Sequence, residues 1–453
     1  MKNVIILLLF IFFSYYYSFC QYWEKVAGLN PYVNKIFSPI NEPNRIIVAS
    51  NGFATDILQK NIEFPFLGNG YAESLDSGRT FTSFFLNQRS VYDIYQSKTN
   101  PNLWFAAIRN FNRSGIVRST DNGNSWGEDI ACESSNQIYR ITSTINEGKE
   151  FYVAAAINTS EGFIYSDNDF LTCNSSSLSV ETRSIAFSKI HPNLLFITGD
   201  PSSQGRVLRS YDNGHTWYRE SSGLQGLRVL SILPSSANPS IVLCGVDSLT
   251  LDGSSIGKGI YISLDTGKTW QYLTGGGYQI FEFAEHPRYP HLVAAAAGMG
   301  GVLVSSIYGH YFEAFNSGLP QGKSVRTVMI PDWDTTEAGF VIFAGVHGDG
   351  LYKSTYLKTS VENYNSLDFS SISVSPQPTN EKVNIQFNIP FSTSCDISIY
   401  NAYGIEVYSL KNLPINNGEN LFTWNSSSFA AGLYFVQIRS GSSSVIKKFI
   451  INR

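Results

Sequence analysis

One octapeptide recurs through most of this chain. SLDSGRTF (Ser74 to Phe81), STDNGNSW (Ser119 to Trp126), SYDNGHTW (Ser210 to Trp217) and SLDTGKTW (Ser263 to Trp270) share the pattern S-x-D-x-G-x-[TS]-[WF]. Two degenerate copies fill the gaps: YSDNDF around Ser166, and SSIYGHYF from Ser305 to Phe312, which keeps Gly309 and Phe312 without the Asp. GLYKST, ending at Ser354, repeats the lead-in to the box and stops before the turn. The serines at 74, 119, 166, 210, 263, 305 and 354 lie 45, 47, 44, 53, 42 and 49 residues apart, a mean of about 47. A unit repeated at that period buries its faces against its neighbours, so most of the 453 residues form one array.

Each unit reads alike after its box. An aromatic starts a short strand; an apolar strand, a turn with Pro, a second apolar strand rich in Ala and Val, and the strand entering the next box come after it. Val229 to Leu233, Ile241 to Val246 and Gly259 to Ile262 are one example. Four strands per unit of this length describe a propeller blade. The seventh unit lacks its aromatic-started strand, and Tyr22 to Leu29 (YWEKVAGL) has the form of the missing piece. The expectation is an all-β chain: a seven-bladed β-propeller over residues 21–358, closed by strand exchange between its ends, then a small Ig-like β-sandwich. Composition agrees, with 14% aromatic and only 15% charged residues, against roughly 25% charged in typical soluble domains.

The octapeptide resembles the Asp-box, or BNR, repeat of sialidase-like, sortilin-like and xyloglucanase-like propellers. Within it the carboxylates of Asp76, Asp121, Asp212 and Asp265 suit backbone N–H groups of a tight turn. Gly78, Gly123, Gly214 and Gly267 permit positive φ, and Trp126, Trp217, Trp270 and Phe81 pack between sheets. These residues are read as structural, not catalytic.

Lys2, the apolar run Val4 to Phe13 and Ser18-Phe19-Cys20 form a signal-peptide pattern over residues 1–20. Lipidation at Cys20 is the alternative, against which bulky Phe19 counts. No later segment is long and apolar enough to span a membrane. Cys132, Cys173, Cys244 and Cys395 remain, without a CxxC or Cys/His cluster for metal. Cys132 and Cys173 lie in neighbouring repeats and either pair in an oxidising compartment or stay as isolated buried thiols.

After a polar linker at 359–371 the pattern changes to a separate β module, residues 372–453. Pro376-Gln377-Pro378, Ile399-Tyr400-Asn401 with Gly404, Ala431-Gly432-Leu433-Tyr434 and the closing Lys447-Lys448 make it resemble the type A sorting domain of the type IX (Por) secretion system. That resemblance implies a partner in the type IX machinery, transport across the outer membrane to the cell surface or medium, and removal of the module afterwards. An Ig-like or carbohydrate-binding spacer is the alternative.

The starts of the first strands carry recurring charge: Lys35, Asp93, Arg140, Arg183, Arg228, Glu282 and Arg326. Arginines from several blades converging on a carboxylate would follow sialidase logic; a wet, polar channel is the bland reading, and a one-residue slip reverses any of these side chains. The loops of the ligand-binding face add Asp56, within 51–69, and Asp247, within 247–258, besides Arg109, Arg113, Asp200, His347 and Asp349. Catalytic residues stay unassigned. The sialidase Arg-Ile-Pro element is absent, with Asn44-Arg45-Ile46-Ile47 the nearest string, and nucleophile elbows, HExxH, P-loops and dinucleotide fingerprints are missing. A net charge of −4 excludes general nucleic-acid binding, and neither cofactor nor metal is expected. The leading expectation is an exported noncatalytic scaffold for a glycan or surface protein. The alternatives are a glycoside hydrolase of sialidase-like or other Asp-box type, and an assembly factor like the photosystem-assembly propellers.

Overall fold

The computed structural model describes residues 22–357 and 372–452, apart from 30, 43, 51–69, 88, 111–112, 129, 135–136, 158–161, 177, 179–181, 200–206, 220, 251, 253, 307, 333–338, 380, 390–392, 404, 417 and 441–442. The expected signal peptide and linker, and the candidates Asp56, Asp200 and Gly404, lie outside the described residues. Among those described, the regular elements are strands without a helix.

Seven antiparallel sheets succeed one another from Glu24 to Leu357. The first runs Val33–Phe37, Ile46–Ser50, Gly70–Ser74, Ser83–Phe85, each strand pairing with the next. The fourth has three strands, and a bridge between Arg209 and Tyr218 stands where a fourth would run. In the seventh, Val325–Met329, Gly339–Val346 and Gly350–Leu357 are joined by the chain's first strand, Glu24–Lys25. Trp23 secures that strand: its Nε1 donates to the Phe315 carbonyl at 2.7 Å.

Second strands are buried on both faces, which is why they read as unbroken apolar runs. Ile46 and Val48 pack with Met329, Val341, Phe343 and Leu351 of the seventh sheet, whereas Ile47 and Ala49 pack with Val91, Ile94 and Trp104 of the second. The strand period of two sends alternate side chains to opposite neighbours. Seven clusters of this kind each span two sheets successive in sequence or, in one case, the last and the first. Full burial of one such side chain contributes roughly 1.5–3 kcal/mol, so these faces carry most of the stability.

The octapeptides are tight turns organised by their Ser and Asp. Ser74 Oγ donates to Asp76 Oδ1 and accepts from the Gly78 N–H, both at 2.8 Å. Asp76 also accepts from the Thr80 N–H at 2.8 Å and the Thr80 hydroxyl at 2.6 Å. The same set recurs at Asp121, Asp212 and Asp265. The Ser125 hydroxyl, together with the Ser125 N–H, holds the Asp121 carboxyl down to about 2. Left-handed backbone occurs twice in succession, at Ser77 (φ 63°) and Gly78 (φ 74°), and a Cβ on Gly78 would sit 2.7 Å from the Phe343 ring.

The third turn departs from its siblings. Asn168 takes the Asp role, accepting from Ser166 Oγ at 2.9 Å and the Thr172 N–H at 3.0 Å. Phe170 replaces the glycine at φ 55° and is fully buried against Phe105 and Tyr152. In intact turns the eighth residue is an aromatic; Trp126, Trp217 and Trp270 donate their indole N–H to the turn glycine's carbonyl at 3.2, 3.0 and 3.1 Å. Here that place holds Cys173, disulfide-bonded to Cys132 of Ala131–Ser134 with a Cα–Cα distance of 5.5 Å. A covalent link between the second and third sheets stands where packing serves elsewhere.

Residues 373–451 build two further antiparallel sheets. Ser373–Ser375, Lys382–Ile389 and Gly418–Asn425 form one; Glu406–Ile415, Thr393–Asn401, Gly432–Ser440 and Ser443–Ile451 form the other. They share one core containing Val383, Ile385, Phe387 and Trp424 with Ile397, Ile399, Val436, Ile438 and Phe449. Pro376 and Pro378 lie in the exposed turn after the first strand, Gly432 opens a strand, Tyr434 is buried with its hydroxyl on the Ala430 carbonyl, and Lys447 and Lys448 are exposed.

The third turn yields a prediction. Replacing Cys132 and Cys173 by Ser should lower stability in urea unfolding by about 2–4 kcal/mol, and a reductant should produce the same loss in the parent protein. Equal stability with and without the bond would remove its assigned role.

Candidate functional site

The first strands carry a β-bulge at matching places, between Val33 and Lys35, Val91 and Asp93, Ile138 and Arg140, Val229 and Ser231, and Val325 and Thr327. An extra residue in one strand re-aims the side chains beyond it. The residue after each bulge faces a small partner: Lys35 opposite Ala49, Asp93 opposite Ala107, Arg140 opposite Ala155, Ser231 opposite Gly245, Thr327 opposite Gly345. Glu282 opposite Ala296 and Ser184 opposite Thr198 hold the matching places in the unbulged sheets. At Gly345 a Cβ would come within 2.5 Å of Thr327 Cγ2, so the partner has to be small.

Four charges of this set form one network. Glu282 Oε1 accepts from Lys35 Nζ at 2.5 Å and Arg140 Nη1 at 2.7 Å, and its Oε2 accepts from the Thr327 hydroxyl. Asp93 accepts from the Ile94 and Ile141 N–H groups at 3.1 and 2.7 Å. Residues of the first, third, sixth and seventh sheets thus meet on one carboxylate. Burial would raise the Glu282 carboxyl, but Lys35 and Arg140 together outweigh it and hold the group at about 2. Asp93 goes the other way, raised by burial despite the same two cations.

The four arginines weighed as a converging set are placed apart. Of Arg140, Arg183, Arg228 and Arg326, only Arg140 occupies the network, where its guanidinium is bound to Glu282. Arg183 precedes Ser184 by one residue, Arg228 lies three before Ser231, and Arg326 is itself the bulge residue. Ser231 and Thr327, which hold the corresponding places, went unnoticed because hydroxyl residues are common in strands and only the pairing register singles them out.

Arg228 and Asp247, expected as independent ligand residues, bind each other: Nε to Oδ1 at 2.8 Å and Nη2 to Oδ2 at 2.5 Å, with Asp247 fully buried. Ser255 and Gln279 complete the group, Gln279 Nε2 donating to Ser255 Oγ at 2.7 Å and Asp247 Oδ2 at 3.1 Å. Asp349 pairs with Lys25, and His347 meets the Tyr32 ring edge-on at 5.1 Å. Arg113 pairs with Glu133 at 2.7 Å.

Residues of the sixth and seventh sheets and their connection line a pocket of about 370 Å³, among them Met299, Gly301, Asn316, Leu319, Lys323 and Val346. Its walls are the 297–301 loop between second and third strands of the sixth sheet and the 315–324 connection to the seventh. Tyr278, 40% exposed, covers Gly300, where a Cβ would stand 2.6 Å from the ring. The absence of long insertions or charge runs in these loops hid the pocket from sequence reading. Among the described residues no cluster of three or more His, Cys, Asp or Glu is arranged to hold a metal.

The central carboxylates make a pH prediction. With its folded pKa at about 2 against an ordinary 4.5, Glu282 contributes its full stabilisation above about pH 5 and loses it as the pH falls toward 2. Asp93, shifted upward, opposes folding when ionised and ceases to on protonation. Glu282→Gln should therefore cost about 3 kcal/mol at neutral pH and flatten the acid limb in urea unfolding. A variant with the parent's steep acid limb would contradict the network's role.

Residues 373–452 match the family described as the secretion system C-terminal sorting domain. No curated protein sequence matches the chain. Among solved structures, the GH74 xyloglucanase of Xanthomonas campestris is 11% identical with a TM-score of 0.54, covering 81% of this chain and 59% of its own. PorZ, a surface component of the type IX secretion system of Porphyromonas gingivalis, is 14% identical with a TM-score of 0.45, covering 95% of this chain and 61% of its own. YCF48 of Cyanidioschyzon merolae is 13% identical with a TM-score of 0.49, covering 74% and 98%. This chain thus spans less than two thirds of the xyloglucanase and of PorZ. The xyloglucanase likeness shows an all-β, propeller-like fold and nothing of activity. The sorting domain marks the chain for export by type IX secretion to the cell surface or the extracellular space.

Proposed function

We propose that the seven sheets are blades of one closed Asp-box propeller, residues 21–358, and that it acts outside the cell as a noncatalytic scaffold binding a glycan or a protein. The ring is supported by the cluster joining seventh sheet to first and by the N-terminal strand in the seventh sheet. The Ser/Asp turns support the Asp-box assignment. Residues 372–453 would be the address, and 1–20 the signal peptide.

One observation carries the choice of binding over hydrolysis: among the described residues, the carboxylates Glu282, Asp93 and Asp247 are already engaged. Glu282 is held by Lys35, Arg140 and Thr327, Asp93 by two backbone N–H groups, and Asp247 by Arg228, Ser255 and Gln279. Glycoside hydrolysis needs two carboxyl groups facing across a cleft at roughly 5–9.5 Å, one of them free to exchange a proton. The pocket beside Met299 and Tyr278 instead offers apolar surface with amide, lysine and backbone groups, the mixture that small-ligand sites use.

A glycan array followed by product analysis of every hit tests this reading. Binding without turnover is the expected result; turnover would replace the scaffold by the hydrolase, and silence on both would point to a protein ligand. For the address, deleting residues 372–453 should strand the protein in the periplasm, and undiminished surface display would sink the assignment.

A further inference from the structure

We propose that the last strand, Ser443–Ile451, is where the type IX machinery docks, by adding an apolar strand flanked by carboxylates along the open edge of the sorting module. This rests on the sorting-domain assignment and names the surface that is read. Sheet edges are the starting point. An unpaired edge offers a row of N–H and C=O groups to any other strand, and proteins blunt it by shortening, proline, bulges or cover. The first seven sheets end outwardly in strands of two to four residues, or in the single Arg209–Tyr218 bridge. Within the module, Ser373–Ser375 is three residues long, and Glu406–Ile415 carries Pro414 and pairs with two register shifts. Gly418–Asn425 is longer, but its Glu419 and Thr423 are tied to Gln386 at 3.3 Å and Asn384 at 2.9 Å on the neighbouring strand.

The last strand has none of these devices. Its nine residues pair with Gly432–Ser440 without a shift, and among the described residues no strand pairs with its outer side. Only Thr379 covers the far end, donating to the Ile450 carbonyl and accepting from the Asn452 N–H. Phe449 and Ile451 turn into the core. Ile446 and Ile450, on the opposite face, are 57% and 52% exposed. Across the ladder Ile450 meets Leu433, and Ile446 meets Gln437, whose amide oxygen accepts from the Tyr400 hydroxyl at 3.2 Å. The outer face is therefore apolar along the open edge, with its neighbouring polar group already bonded.

Charge selects the occupant. Lys447 and Lys448 are exposed in the middle of the strand, and among the described residues no carboxylate pairs with either. A second copy added to the same edge would bring four lysines together, which like-charge repulsion disfavours. A purely apolar strand would satisfy the backbone and leave both ammonium groups without a partner. A strand with carboxylates beside its apolar residues answers both demands, main-chain bonds giving affinity and alternate side chains specificity.

Surface display of the full chain in a bacterium that secretes by the type IX route tests the assignment. Ile446→Glu with Ile450→Glu, and Lys447→Glu with Lys448→Glu, should each lower the displayed fraction at least about tenfold. Folded protein should then accumulate in the periplasm with an unmoved unfolding midpoint, because all four side chains are exposed. Lys447→Arg with Lys448→Arg keeps the charge and should display like the parent, as should Leu421→Glu, 65% exposed on the other long edge. Parent-level display of both glutamate pairs, or an equal loss in Leu421→Glu, would overturn the assignment. So would a parent dimer that Ile446→Glu makes monomeric while display persists, since the edge would then belong to a second copy. Deleting residues 372–453 separates the two readings. Display that survives the deletion defeats the sorting assignment itself; loss on deletion with normal display of the glutamate pairs defeats the docking strand alone.

Discussion

Burial of the second strand on both faces is the constraint on which the rest of this structure depends. A strand such as Ile46–Ser50 has apolar side chains pointing in both directions and cannot be satisfied by one partner. It requires a sheet on either side, each of those requires another, and the demand ends where the seventh sheet packs against the first. Apolar area therefore drives the array, while the Ser/Asp turns supply direction by committing their polar groups to their own backbone. Where one turn lacks its aromatic, the Cys132–Cys173 bond supplies an anchor that does not rely on packing.

At the strand starts a different force operates. Burying Glu282 and Asp93 is costly, and the cost is offset by drawing Lys35 and Arg140 from two other sheets onto the same point. Such a network stabilises less than its short distances suggest, because four charges have lost water to make it. Its larger effect is selectivity, since sheets in another order or number would leave a buried charge alone.

The architecture was largely legible in the primary structure. The period of about 47 residues, the SxDxGx[TS][WF] boxes and the Trp23 strand anticipated seven similar sheets and the pairing of Glu24–Lys25 with the last of them. The site was much less so. Charge recurs at the strand starts, yet Arg228 and Arg326 lie off the common position, while Ser231 and Thr327 hold the corresponding places. Arg228 and Asp247 looked like two candidates and are one ion pair. The pocket by Met299 and Leu319 had no signature, because short loops with Gly, Ser and Asn are ordinary until two of them meet.

The amino-acid sequence by itself determined the repeat, the strand faces, the turn chemistry and the destination, because each is carried by residues close together in the chain. Tertiary structure alone decided which charges meet and where a cavity opens. The physical reason is the bulge: one extra residue in a strand turns the side chains beyond it to the other face, and whether it is there depends on hydrogen bonds to a partner strand rather than on the residues beside it.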